Sequence, residues 1–134
     1  MEEANILIQE YAKNPLCNFA MKDYTVKQHE GNFICGDDIT VYLRIEDSFI
    51  REYSFDWNCS TITTAAASLL SEVVVWVAIS DILTWDYTKM LSLWFEVSPR
   101  RKRAAVIALL ATRNAIHSYL NDGKEDVFDD VLGD

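Results

Sequence analysis

The chain has 134 residues, 50% of them hydrophobic and 12% aromatic, which is enough for one compact core and short for two. Twelve Lys and Arg against twenty-one Asp and Glu give a net charge of −9, so phosphate backbones and anionic lipid are repelled unless the basic residues cluster; general nucleic-acid binding is excluded. Four Gly, two Pro and a charged fraction of 25% also exclude a disordered or linker-dominated chain.

The opening, MEEANILIQEYAKNP, is acidic and lacks a continuous apolar stretch, so it reads as neither a signal nor a transit peptide. The longest apolar run, Ala104 to Ala111, is eight residues. Spanning a bilayer takes roughly 20. A cytoplasmic protein with no membrane partner is expected. Its three cysteines, Cys17, Cys35 and Cys59, make an odd count that suits free thiols or metal ligands better than a disulfide framework.

Residues 4 to 12 set Ala4, Leu7, Ile8 and Tyr11 at helical spacing. Asn14-Pro15 closes that segment, because the residue before a proline leaves the helical region. From Tyr24 the period changes to two. Tyr24 and Val26 alternate with Thr25 and Lys27, and Ile39, Val41, Leu43 and Ile45 alternate with Thr40, Tyr42, Arg44 and Glu46. Glu46-Asp47-Ser48 supplies a tight polar turn, after which Phe49, Tyr53, Phe55 and Trp57 are expected on one face and Ile50, Glu52, Ser54 and Asp56 on the other. The pattern predicts an antiparallel hairpin within a three-stranded meander.

Past Cys59 the apolar residues recur at steps of three and four, and the small-residue stretch Ala65-Ala66-Ala67 favours one buried helix from Ser60 to about Ser80. A shorter helix is expected over Asp86 to Phe95. Pro99 opens a last one with Val106, Leu109, Leu110, Ile116 and Leu120 as its stripe, ended by Gly123. Trp76, Trp85 and Trp94, on apolar helix faces, are assigned to the core. The fold class is α+β: a three-stranded antiparallel meander packed by about four to five helices. One domain is expected over residues 1–121, followed by an acidic tail over 122–134. In that tail Val127, Phe128, Val131 and Leu132 are spaced for a final helical turn or for capture by a partner.

Cys35-Gly36-Asp37 immediately precedes the Ile39 strand, and Cys59 stands between the Phe49 strand and the long helix. Counted outward from Asp47 each cysteine is twelve residues away, so a regular antiparallel register sets them side by side. The pair then suits a common metal, with Asp37 as an oxygen ligand and Gly36 allowing the tight backbone wrap. Cys59, just ahead of a helix, has its thiolate favoured by the helix dipole. Without a metal the same cysteines read as small buried hydrophobes.

At these residues the chain resembles the U-type scaffolds of iron–sulfur cluster assembly, and is similar to the N-terminal domain of NifU. The likeness runs from about Asn5 to Leu120. Its carriers are Tyr11-x-x-Asn14-Pro15 with Asn18-Phe19, then Cys35-Gly36-Asp37 leading into Ile39-Thr40-Val41-Tyr42-Leu43, then Cys59 opening the small-residue segment Ser60 to Ser68 and Leu69-Leu70-Ser71-Glu72. The resemblance implies a three-stranded sheet packed by helices. It also implies a transient iron–sulfur cluster or zinc, held by three cysteines and an aspartate, with a cysteine desulfurase as sulfur donor and apoproteins as recipients. It carries Cys35, Asp37 and Cys59 onto three of the four ligand positions. In Pro99-Arg100-Arg101-Lys102-Arg103-Ala104-Ala105 the remaining cysteine is absent, and Ala104 stands in its place.

Tetrahedral zinc takes four ligands or three plus water, and a [2Fe–2S] cluster takes four, so three protein ligands leave a place to fill. His29 and Cys17 are outside candidates, although His29 reads more plainly as a strand histidine without metal. A homodimer sharing one cluster also satisfies the count. His117, thirteen residues past Ala104 on the same helix, is about 20 Å away at 1.5 Å per residue and falls outside the site.

The run Arg100, Arg101, Lys102 and Arg103 is a solvated first turn, or a docking surface for an acidic partner or the acidic tail, because cations oppose the dipole at a helix start. No catalytic constellation is present, so the chain is expected not to be an enzyme. A cluster scaffold or carrier is the first functional expectation. The alternative is a degenerate family member that serves as a docking module or a zinc-binding sulfur relay, with no cluster and in the first case no metal.

Overall fold

The computed structural model describes residues 8–10, 13, 17–32, 37–58, 60–93 and 95–132, with Asn32, Asp37, Trp57 and Asn58 described through their backbones. Three strands form one antiparallel meander: β1 (Val26–Asn32), β2 (Asp37–Glu46) and β3 (Phe49–Asn58), in the order β1-β2-β3. The predicted fold class is observed. At the N-terminal end Ile8, Gln9 and Glu10 are helical and Ile8 is buried, as the spacing predicts; the rest of that expected helix, with Asn14 and Pro15, lies outside the described residues.

The hairpin loop between β2 and β3 is the two-residue turn Asp47-Ser48, both at positive φ (52° and 68°), whose twist matches that of the flanking strands. Close to it the ladder shifts register between Arg44 and Ile45, with Arg51 as the extra residue of a bulge. That bulge corrects the expected faces. Tyr53 and Phe55 do point into the core, but on the turn side of Arg51 the parity is reversed, so Ile50 is fully buried and Phe49 is 42% exposed.

The long helix expected to Ser80 stops at Val73. Helix α1 (Thr61–Val73) is followed by a tight turn in which Trp76 adopts φ 67°. Three consecutive β-branched residues weaken a helix there, and the backbone has another partner. Ile50 N–H donates to the Val77 carbonyl (3.1 Å) and Trp76 N–H to the Ile50 carbonyl (2.7 Å), so the turn completes the pairing at the start of β3. Trp76 is consequently 61% exposed rather than core, with the Arg51 guanidinium 4.1 Å from its ring centroid. Trp85 is half-buried against the core, and Trp94 lies outside the described residues.

Two short helices follow, α2 (Ile79–Ile82) and α3 (Tyr87–Ser92), the latter capped by Asp86, whose carboxylate accepts the Thr88 N–H. Pro99–Arg101 forms a 3₁₀ turn that leads into α4 (Lys102–Leu120). Asn121 ends this helix in the left-handed conformation, two residues ahead of the expected Gly123, and Leu120 is exposed. Ala105 to Thr112 are buried on every side, because α4 packs over β1 and β2 and also against α1. Tyr53 crosses this core, its hydroxyl 3.0 Å from Thr112 Oγ1, while the Thr112 hydroxyl donates to the Ala108 carbonyl (2.7 Å). Burial pushes the Tyr53 phenol above its usual range. The final helical turn is observed as α5 (Phe128–Leu132), and its Val131 is fully buried in the same core.

Candidate functional site

Cys35, Gly36 and Cys59 lie outside the described residues, and Asp37 is described through its backbone. The framework carrying them is clear. Asp37 opens β2 opposite Asn32 of β1, and its neighbour Asp38 pairs with Asn58, the last residue of β3. Two residues later Ser60 caps α1, so the Cys59 position falls between a strand end and the N-terminus of a 13-residue helix. The unpaired N–H groups of that first turn favour a nearby anion such as a thiolate.

A hydroxyl relay fixes what stands beside this junction. Ser60 Oγ accepts from Thr63 N–H (3.4 Å) and donates to Thr63 Oγ1 (3.2 Å). Thr63 Oγ1, fully buried, donates to the carbonyl of Ala104 (3.1 Å). The start of α1 is thereby tied to the first turn of α4. Three segments meet at one end of the sheet: the start of β2, the strand-to-helix junction and the start of α4. The half-buried Ala104 is part of that meeting point.

The register of the outer hairpin is displaced by two residues from a symmetric count about Asp47. Asp38 lies nine residues before Asp47, and its partner Asn58 eleven after it. The two-residue turn and the bulge at Arg51 account for the displacement. The expected side-by-side placement of Cys35 and Cys59 itself lies outside the described residues.

The outside candidates for a fourth ligand have other engagements. His29 is half-exposed and pairs through Nε2 with Asp38. Cys17 is a free, exposed cysteine whose carbonyl accepts from Phe55 N–H (3.0 Å). Phe55 is three residues, about 10 Å along a strand, from Asn58. His117, placed outside the site by the sequence, contacts the chain's own tail through Asp122 and Asp126. Among the described residues no three His, Cys, Asp or Glu side chains form a metal-holding group.

Of the basic run, Arg100, Arg101 and Arg103 are exposed and Lys102 is half-buried with its ammonium over the Tyr87 ring (5.0 Å). None of the four has an ion pair among the described residues. Its contact with the run is a ring instead: the Arg103 guanidinium lies 4.9 Å from the Phe128 centroid. A groove of about 260 Å³, lined by Ile8, Ile62, Val97, Ser98, Arg100 and Arg101 together with Glu96, joins the basic run to the start of α1. No helix among the described residues is long and apolar enough to cross a membrane.

Sequence reasoning missed Thr63 as the residue that joins the two helix starts. Its signal is partial: Ser60 ahead of an apolar helical run is a favoured N-cap residue, and a buried hydroxyl three residues on needs a partner of its own.

The sequence profile described as the NifU-like N terminal domain matches residues 4–126. An iron-sulfur cluster assembly scaffold protein IscU from Thermotoga maritima is 31% identical over 77 residues, which cover 58% of this chain and 54% of that protein, so the match spans about half the length of the relative. Among solved structures, the N-terminal NifU-like protein from Brucella abortus superposes with a TM-score of 0.71 at 14% identity, covering 88% of this chain and 94% of that one. A protein titled a putative iron-sulfur cluster assembly scaffold for the SUF system, from Fervidobacterium islandicum AW-1, gives 0.68 at 15% identity, covering 82% and 93%. At these identities the two structures show the shared fold.

Proposed function

The chain belongs to the NifU-like N-terminal domain family, the U-type scaffolds of iron–sulfur cluster assembly, and on that premise we propose that it receives iron and sulfur at Cys35, Asp37 and Cys59 and passes them on as a transient cluster. One observation carries the proposal to these residues. The Thr63 bond to Ala104 joins the start of α1 to the start of α4 beside the strand end that leads to Cys59, and Asp37 begins the neighbouring strand. That convergence supports a shared site for residues far apart in sequence. The cluster is cargo, and the chemistry is transfer.

Sulfur enters from the persulfide of a cysteine desulfurase. The Cys59 thiolate attacks the terminal sulfur, the donor's S–S bond breaks, and the desulfurase cysteine leaves as a thiolate while Cys59 carries the persulfide; two electrons from a reduced electron-carrier protein then cleave it, returning Cys59 to a thiolate and releasing the outer sulfur as sulfide for the cluster. The N-terminus of α1 supports thiolate formation at Cys59. Asp37 in place of a further thiolate gives a weaker oxygen donor, which favours release to recipient apoproteins. The fourth coordination place, vacated by Ala104, is filled by a second copy of the chain or by a partner protein. Arg100, Arg101, Lys102 and Arg103 supply a docking surface for an acidic region of that partner, a role supported by the exposure of Arg100, Arg101 and Arg103 and by the groove that the first two border. The reading is of a carrier in the cytoplasm with no catalytic turnover.

Transfer of labelled sulfur from a cysteine desulfurase tests this. The parent chain acquires label at Cys59, and Cys59→Ser loses it. Equal labelling of the two proteins would sink the proposal. Ala104 itself favours a second reading, a degenerate scaffold that keeps the fold for docking or binds zinc as a sulfur relay. Metal content separates them: iron with sulfide supports the scaffold, zinc alone the relay, and no metal the docking module.

A further inference from the structure

We propose that Phe49 and Trp76, with the carboxylates of Glu46 and Asp47, form a docking surface for a proline-rich segment that carries a basic residue. The two rings are 42% and 61% exposed, and with Glu46, Asp47 and Arg51 they line a recess of about 300 Å³. It lies at the hairpin end of the sheet. Asp37 and Glu46 are the two ends of the ten-residue strand β2, so the recess stands about 30 Å from the strand end at which Asp37 is placed. An occupant there leaves the candidate cluster site open, and the proposal does not depend on cluster binding.

Trp76 is held against its backbone preference. Its φ of 67° is in the left-handed region, where a bulky side chain is strained and glycine is not. Two backbone bonds fix it there: Trp76 N–H donates to the Ile50 carbonyl (2.7 Å) and Ile50 N–H to the Val77 carbonyl (3.1 Å). The exposed indole adds little to the core that would offset the strain. A strained residue with an outward ring is the signature of a contact outside the chain.

The surroundings say what that contact is. The Arg51 guanidinium lies 4.1 Å from the Trp76 ring centroid, and Arg51 Nε donates to Glu46 Oε2 (2.9 Å), so the indole is oriented before any partner arrives. Proline rings suit such an aromatic recess, because a polyproline II segment is already extended and loses little freedom on docking. Charge then selects the sign of the flanking residue. Glu46 and Asp47 are both exposed, against the single guanidinium of Arg51, and the whole chain carries −9. A basic residue beside the prolines is attracted, and an acidic one is repelled. A second copy brings the same −9 and the same carboxylates, which disfavours self-association through this face.

Titration of the nitrogen-15-labelled full chain with a synthetic polyproline peptide carrying one central arginine tests this, read at the tryptophan indole N–H signals. The Trp76 signal, assigned by its loss in Trp76→Gly, shifts and saturates below about 1 mM peptide. The same peptide with glutamate for arginine binds at least about tenfold more weakly. In Trp76→Gly, peptide binding, followed at the backbone amides of Phe49 and Arg51, is lost while the thermal midpoint is unchanged or raised, because glycine relieves the turn. Phe49→Ser, outside that turn, also weakens binding. No shift with the arginine peptide, equal binding of the glutamate peptide, or a lowered midpoint in Trp76→Gly would each overturn the proposal. A Trp76 signal that moves with protein concentration alone would assign the face to a second copy and overturn it as well.

Discussion

Replacing Val131 by alanine probes whether the last helical turn is part of the domain or an appendage. The side chain is fully buried and joins the same core as Ile116 and Leu109 of α4. Truncation removes two methyl groups at about 0.8 kcal/mol each. A residual void of roughly 40 Å³ adds about 1 kcal/mol at 24 cal/mol per Å³. A loss of roughly 2–3 kcal/mol follows if the tail unfolds together with the rest. Because α5 is short and near the chain end, the loss appears first as opening of residues 122–132, and its global part is limited to the free energy with which that segment docks. Urea denaturation followed by far-UV circular dichroism gives the global part, and amide exchange gives the local one. A midpoint shift equivalent to under about 0.5 kcal/mol, with tail amides unprotected already in the parent, would refute the packing argument.

Thr63→Val keeps the volume but removes the donor to the Ala104 carbonyl and the acceptor of Ser60 Oγ. It costs about 1–2 kcal/mol in thermal or urea unfolding and raises amide exchange at the starts of α1 and α4 before that at their centres. Tyr53→Phe deletes one buried hydroxyl whose partner Thr112 retains its bond to Ala108, so the cost is smaller, about 1 kcal/mol by the same unfolding measurement. Ultraviolet titration of the parent leaves Tyr53 un-ionised through the usual phenol range until the protein unfolds, because burial raises it. That tyrosine signal is absent in Tyr53→Phe.

Much of this fold was legible in the pattern of residues. The period of two over Ile39 to Ile45 places β2, and Ile39, Val41 and Leu43 are all fully buried. The deviations have local causes. A single bulge at Arg51 exchanges the roles of Ile50 and Phe49, and no alternation of apolar residues announces where a ladder gains a residue. The turn at Val74 to Val77 depends on backbone bonds to Ile50, a partner 24 residues earlier in the chain than Val74, so a helical pattern continued through it. Spacing alone paired Cys35 with Cys59 by symmetry, and the same bulge and turn displace the register on which that count rested. The position of Ala104 beside Thr63 is tertiary, since it joins residues 41 apart; the family resemblance pointed to Ala104, and the packing of α1 on α4 sets that residue beside the start of α1. The tail's carboxylates were visible as charge. Their engagement with Arg113 and His117 was not, because it depends on how Asn121 turns the chain back along α4.

The central claim is that Cys35, Asp37 and Cys59 hold a cluster despite the alanine at position 104. Anaerobic reconstitution with iron and sulfide, read by metal analysis and the absorbance spectrum of the parent beside Ala104→Cys, tests it most directly. The account predicts iron, sulfide and charge-transfer bands in the parent, with the fourth place filled across a dimer, and a longer-lived cluster in Ala104→Cys. A parent that takes up no iron while Ala104→Cys assembles a cluster would contradict it, and would mean that the scaffold fold persists after its chemistry was lost.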